Sequence, residues 1–256
     1  AARSHGEYLP VFLLADRTEV RDIDLLIVEQ IDEYIWKLED PATFVAGRVS
    51  SAIEKYANIF PQFTLMTRAN EGVCIDHFLD HVDETPFFSF DYETVDRLKH
   101  QAFNEAMSAA SAARGSYVDV LSSEITGCSF NYGRHLQHTV YISVDHRATE
   151  NVDKQVVKDF LETIIATGKP LVAQNCSFEE QVTKLQLGLQ LDKPYDTQIM
   201  ASYVAEEDEA GLKTLSKTWL NYSQASYKET LEAAGAKDMS EVSGKEVLQY
   251  GCDDSL

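Results

Sequence analysis

Along the first sixty residues the apolar positions recur at intervals of three and four. In RDIDLLIVEQIDEYIWKLED, Ile23, Leu26, Ile27, Ile31, Tyr34, Ile35 and Leu38 form one helical stripe, which Asp40-Pro41 ends. ATFVAGRVSSAIEKYANIF repeats the pattern through Phe44, Val49, Ile53, Tyr56 and Phe60 before Pro61. Residues 1–62 thus read as an N-terminal helical extension, a hairpin that packs on its neighbour or docks a protein partner. From Phe63 the period changes. FTLMTR reads as a short strand, VCIDHFLDHV as a helix and PFFSFDYE as a buried strand. ITGCSFNY and HTVYISVD follow as two more strands around a polar turn. NVDKQVVKDFLETIIATG is an amphipathic helix stopped by Gly168 and Pro170, and KPLVAQN is a further strand. QVTKLQLGL, TQIMASYVA, LKTLSKTWL, SYKETLEAAG and GKEVLQYGCDD have helical spacing. Three strands, then helix, strand and helices, predict an α/β domain over residues 63–256, a mixed sheet flanked by helices. The Ala/Ser-rich LKHQAFNEAMSAASAARGS, after PFFSFDYE, reads as an inserted helix or mobile excursion.

A chain of 256 residues with 44% hydrophobic content can bury the core of one large domain or two smaller ones. No apolar run approaches the ~18 residues that span a bilayer and no signal-peptide pattern opens the chain, so no membrane partner is expected. Cys74, Cys128, Cys176 and Cys252 are scattered without a CxxC pair. That argues against a zinc site and a disulfide framework, and for a reducing compartment. The chain begins without Met and stops inside an apparent helix, which reads as a piece of something longer. The net charge of −20 opposes autonomous gripping of duplex nucleic acid, which normally shows a basic footprint. An acidic chain is compatible with a site that admits only a frayed single-stranded end.

Three acidic segments carry candidate chemistry. In a strand, residues two apart share a face, so Asp91 and Glu93 point together while Phe88, Phe90 and Tyr92 pack the other side. Two carboxylates on one face of an apolar strand are costly unless paired or metal-bound. The competing explanation ends the strand at Phe90 and leaves both acids in a solvated loop. After KPLVAQN, Ser177 and Glu180 fit a capping box, leaving Glu179 as the free carboxylate. Gln174 and Asn175 stand at the strand's C-terminal end, where open α/β sheets bind ligands. Tyr250 and Asp254, at i and i+4, are neighbours on one helix face.

The order and spacing of these segments resemble the 3′–5′ proofreading exonuclease domain of DNA polymerase I-like (family A) polymerases, within the ribonuclease H-like exonuclease superfamily. FDYET resembles its first motif through Asp91 and Glu93. VAQNCSFE resembles the second through Gln174, Asn175, Phe178 and Glu179, and YGCDD the third through Tyr250 and Asp254. PYDTQIMASYV and GLKTLSKTWL are similar to two further stretches of the family, through Asp196, Thr197, Ser202, Tyr203, Leu212, Leu215, Trp219 and Leu220. The resemblance covers about residues 63–256, leaves residues 1–62 unassigned and implies a ribonuclease H-like sheet.

It further implies two Mg²⁺ or Mn²⁺ ions about 3.5–4 Å apart astride the last phosphodiester of a single-stranded DNA 3′ end. Asp91 would bridge them, Glu93 and Asp254 would complete one ion, Glu179 would serve the other through water, and Tyr250 would orient the attacking water. Gln174, Asn175 and Phe178 would contact the terminal nucleotides, with Leu98 as a wedge between bases. A polymerase domain would follow C-terminally, in the cytoplasm of a bacterial or phage-infected cell or in an organelle matrix. Glu179 stands where the family usually has Asp, which moves the carboxylate by about 1.5 Å, and the segment after the first motif is longer than usual. Two alternatives stay open: a stand-alone ribonuclease D- or Werner-like exonuclease on RNA or DNA, and an inactive exonuclease-fold scaffold.

Overall fold

The computed structural model describes residues 12–15, 33–36, 41–57, 62–96, 119–204, 206, 209–220 and 222–256. Near the N-terminus, β1 (Phe12–Ala15) pairs in parallel with β2 (Glu33–Trp36), and α1 spans Ala42–Ala57. Of the helix expected over residues 42–60, Ala42–Ala57 is present and the rest lies outside the described residues. The one expected around Tyr34 and Ile35 is not present: Glu33–Trp36 is extended. EYIW is short and rich in β-formers, and a partner strand, FLLA, takes up its backbone groups. The rest of that stripe, and the Ala/Ser-rich stretch with Leu98, lie outside the described residues.

The main sheet has six strands: β3 (Gln62–Met66), β4 (Phe88–Asp96), β5 (Ser123–Tyr132), β6 (His138–Ser143), β7 (Leu171–Ala173) and β8 (Tyr195–Asp196). Their order is β3-β6-β5-β4-β7-β8. β5 runs antiparallel to both neighbours, and the other pairs are parallel. This is the mixed sheet flanked by helices that the pattern predicts, with β4 near its middle.

Register sorts the side chains into two faces. Phe90, Phe130 and Val140 are cross-strand partners, as are Tyr92, Cys128 and Ile142, and all six are buried. α2 (Glu71–Val82) and α3 (Lys154–Thr167) supply Phe78, Val157, Phe160, Leu161 and Ile164 to the same core, where Phe78 stacks on Phe160 at 4.2 Å. Asp153 caps α3 by accepting from the Gln155 amide, and Gly168 ends it in the left-handed region at φ 66°.

The opposite face carries small and polar rows: Ser89 beside Asn131 and Thr139, then Asp91 beside Ser129 and Tyr141. α8 (Gly244–Asp253) lies over this face, packing Val247 and Tyr250 with Tyr141, Met239 and Val242. Ser243 and Glu246 form a capping box at its start. Two glycines permit the close approach. A Cβ on Gly251 would stand 2.3 Å from Tyr141 Cε2, and one on Gly127 would stand 2.1 Å from Tyr141 Oη. The Tyr141 ring is thus clasped between β5 and α8, and its hydroxyl bonds His146 Nε2 at 2.8 Å.

The remaining helices are α4 (Cys176–Val182), continued by a π turn over Thr183–Leu187, α5 (Thr197–Val204), α6 (Leu212–Leu220) and α7 (Tyr227–Ala234). All four cysteines are free and buried. No helix among the described residues is long and apolar enough to cross a membrane.

Candidate active site

β4 sets the site. Its alternation turns Phe88, Phe90 and Tyr92 into the apolar core and Asp91 and Glu93 to the face beneath α8, so the strand continues through both acids instead of ending at Phe90. The pairing register slips between Glu93 and Thr94, where Thr126 of β5 is the extra residue, a bulge beside the acids. α8 brings Asp254 to the same place. Asp91, Glu93 and Asp254 can each offer an oxygen such that all three lie within 4.8 Å of one another.

Burial and mutual repulsion raise the proton affinity of these groups. Asp91 is pushed well above the usual carboxylate range, first by burial and then by Asp254, Glu93 and Glu179. Glu93 is likewise raised by burial and Asp254, with Lys213 opposing. Asp254 is raised to about 7 by burial against the opposing pull of Lys213. Glu179 is 3% exposed and pushed up to about 8, chiefly by burial. Its Oε2 has no hydrogen-bond partner among the described residues. Buried like charges with an orphaned oxygen lack the positive charge that would stabilise them. Hard oxygen donors in this arrangement fit Mg²⁺ or Mn²⁺.

The geometry revises several expectations around the second segment. α4 begins at Cys176 after Asn175, which adopts the left-handed conformation at φ 56°. Ser177 lies inside the helix, so the capping box with Glu180 does not form. Asp196 caps instead, accepting from the amides of Asn175 (3.1 Å) and Cys176 (3.0 Å). A carboxylate from β8 reaches the helix start, and local spacing along α4 carries no sign of it. Gln174 donates to Ala210 O at 2.8 Å and accepts from Thr197 Oγ1, so both ends of its amide are engaged. Asn175 is exposed, and Phe178 packs partly on the core.

Tyr250 lies one turn before Asp254. Its phenol is pushed far up by burial and by Glu93, Asp254 and Asp91, so it stays protonated. Its ring meets Tyr227 edge-on at 6.2 Å and carries Lys213 Nζ at 5.1 Å from its centroid. Lys213 and Tyr227 went unnoticed in the sequence. The signal for Lys213 was its place in GLKTLSKTWL beside the motif positions. A cavity of about 500 Å³ opens next to Asp254, walled by Pro86, Phe87, Val172, Gln174, Met200 and Leu212 among others.

Comparison with known proteins divides the chain. A family model described as Orn/Lys/Arg decarboxylase, N-terminal domain, matches residues 1–56. Over 49 residues the chain is 45% identical to the biodegradative arginine decarboxylase of Escherichia coli (strain K12), a stretch covering 19% of this chain and 6% of that protein. Residues left unassigned by the motifs are therefore similar to decarboxylase sequence.

Among solved structures the chain is similar to Escherichia coli RNase D, an exoribonuclease involved in structured RNA processing. The identity is 12%, the coverage 76% of this chain and 41% of that one, and the TM-score 0.47. It is also similar to the EXD2 exonuclease domain (12% identity, 67% and 80% coverage, TM-score 0.34) and to S. pombe Pop2p in an Mg²⁺- and Mn²⁺-bound form (11%, 73% and 88%, 0.32). The chain thus spans less than half of RNase D and a small part of the decarboxylase. Likenesses of this size carry nothing about activity. Strand order and register carry the fold.

Proposed function

We propose that residues 63–256 act as a metal-dependent 3′–5′ exonuclease that hydrolyses the terminal phosphodiester of a single-stranded 3′ end. The meeting of Asp91, Glu93 and Asp254 within 4.8 Å, on the one polar face of the sheet, carries this reading. Asp91, Glu93 and Asp254 would hold Mg²⁺ or Mn²⁺, with Glu179 as a further ligand. Such an ion supplies charge stabilisation at the phosphate oxygens and acidifies water at neutral pH.

The chain's own groups do the rest. β4 holds Asp91 and Glu93 at a fixed spacing. Tyr250, protonated, donates a hydrogen bond that orients the attacking water and does not take its proton. Lys213 offsets part of the carboxylate charge and eases the approach of an anionic backbone in a chain of net charge −20. The largely apolar cavity beside Asp254 suits the terminal base. Gln174, committed to Ala210 and Thr197, shapes its wall instead of reading the base, and exposed Asn175 remains free to meet the backbone.

Stand-alone trimming of RNA or DNA is the first context, and proofreading beside a polymerase the second. The test offers 5′-labelled single-stranded RNA and DNA to the wild type and to Asp91→Asn/Glu93→Gln, with Mn²⁺ or Mg²⁺. Mononucleotide release from the 3′ end is expected from the wild type, slower by about 10³-fold or more in the double variant. Preference for RNA supports the stand-alone context, and preference for DNA the polymerase one. A wild type as inert as the variant overturns the proposal and leaves an exonuclease-fold scaffold.

A further inference from the structure

The other face of the sheet carries a second cluster. His77 and His81 stand one turn apart on α2, and His138 opens β6. Each can present a ring nitrogen such that the three lie within 4.8 Å of one another. The rings already pack together: His77 and His81 stack with centroids 4.4 Å apart, and His138 meets them edge-on at 4.5 and 4.8 Å. His138 pairs with Tyr132 of the apolar core, so the cluster lies across the sheet from Asp91, Glu93 and Asp254.

We propose that His77, His81 and His138 form a binding site for a divalent transition metal, Zn²⁺ above all, that ties α2 to the start of β6. The hydrogen bonds prepare the rings for it. His81 Nδ1 lies 2.7 Å from the His77 carbonyl, an acceptor only, so Nδ1 carries the proton and Nε2 keeps its lone pair. His77 Nδ1 lies 2.8 Å from Tyr132 Oη, which can accept a hydrogen bond from Nδ1–H and leave Nε2 open in the same way. Such contacts are the usual outer partners of metal-binding imidazoles. Neither ring nitrogen of His138 has a hydrogen-bond partner among the described residues.

Three imidazoles with an open fourth position suit Zn²⁺, whereas the all-oxygen cluster suits Mg²⁺ or Mn²⁺. Tetrahedral coordination brings ligand nitrogens to about 3.4 Å of one another, a small closure for half-buried side chains. Glu84, 4.0 Å from His81 Nε2 and 3.6 Å from Arg134 Nε, is placed to take the fourth position or to hold a water there. Cysteine spacing pointed away from zinc, but this site needs no cysteine.

The metal-free 256-residue chain titrated with Co²⁺, followed by visible absorption and then challenged with Zn²⁺, tests the site. The proteins are the wild type, His81→Gln, His138→Gln and Asp91→Asn/Asp254→Asn. The expected result is one equivalent of Co²⁺ with intense tetrahedral bands in the wild type and the carboxylate variant, displaced by Zn²⁺. Each histidine variant should bind at least about 100-fold more weakly. Weak octahedral bands alone, or histidine variants that bind like the wild type, overturn the proposal. Paramagnetic shifts of the His77, His81 and His138 ring protons in Co²⁺-loaded wild type need no variant, and their absence overturns it too. Because the carboxylate variant keeps this response, a failure of the exonuclease reading leaves it untouched.

Discussion

Tyr222 donates a 2.6 Å hydrogen bond to Asp253, and this contact divides the duties of two adjacent carboxylates. Asp253 also accepts from the Ala225 amide at 2.9 Å and from Gln249 Nε2 at 2.6 Å, and it is 1% exposed. It stitches the segment before α7 to α8. Asp254, one residue on, turns to Asp91 and Glu93.

Opposite phenotypes therefore follow at neighbouring positions. Asp253→Ala should destabilise the fold by about 3 kcal/mol or more, because it strands buried donors. Asp254→Asn should keep the fold and lose Mn²⁺-dependent nuclease activity. Urea unfolding and 3′-end degradation, measured on both variants, check the division. Equal stability loss in the two would contradict it.

The carboxylates give the metal-free protein a pH dependence of known sign. The folded-state pKa of Glu179, about 8, lies above its ordinary value, so the native chain keeps a proton that the unfolded chain releases. The cost grows as pH rises from about 4.5 towards 8. Glu179→Gln should accordingly raise the thermal midpoint of metal-free protein at pH 8 by several degrees, at about 2–4 °C per kcal/mol for this size. The gain should shrink by pH 5. Saturating Mn²⁺ should narrow it as well by stabilising the wild type. A variant no more stable than the wild type at pH 8 speaks against the electrostatics.

His146 carries the opposite sign. It is 3% exposed, with Nδ1 bonded to the Met239 and Val242 carbonyls and Nε2 to Tyr141 Oη, and burial lowers it to about 4. The native state binds fewer protons than the unfolded state between about 4 and 6.5. Its contribution is complete above that window and is lost as pH falls through it, by ~3 kcal/mol in all. Replacing it by Gln should flatten that part of the stability profile, measured as urea midpoints at pH 7 and pH 4.5.

Gly251→Ala tests how α8 is seated. Its Cβ would lie 2.3 Å from Tyr141 Cε2, so the helix must lift from the sheet. A stability loss of about 1–3 kcal/mol is expected. Activity at saturating metal should fall further than the folded fraction does, because Tyr250 and Asp254 ride on the same helix. Full activity in a folded variant would show that the site tolerates the shift.

Much of this architecture was legible along the chain because its signals are local. Period-two alternation put Asp91 and Glu93 on one side of β4 and the aromatics on the other, and 3.6-residue spacing with Gly168 outlined α3. The same local logic misled where a neighbour in space takes over. EYIW pairs with a strand, and Asp196 caps α4 in place of Ser177, since a backbone group accepts whichever partner reaches it. The structural duty of Asp253, the cationic support from Lys213, and the three histidines brought together from α2 and β6 depend on sheet register and on how α8 is seated. By itself the sequence determined most of the strands and helices of the main sheet domain and which acids each carries, because those preferences reside in consecutive residues. Only the tertiary structure decided which of those acids meet and which are spent on holding the fold, because hydrogen bonds and charge act through space.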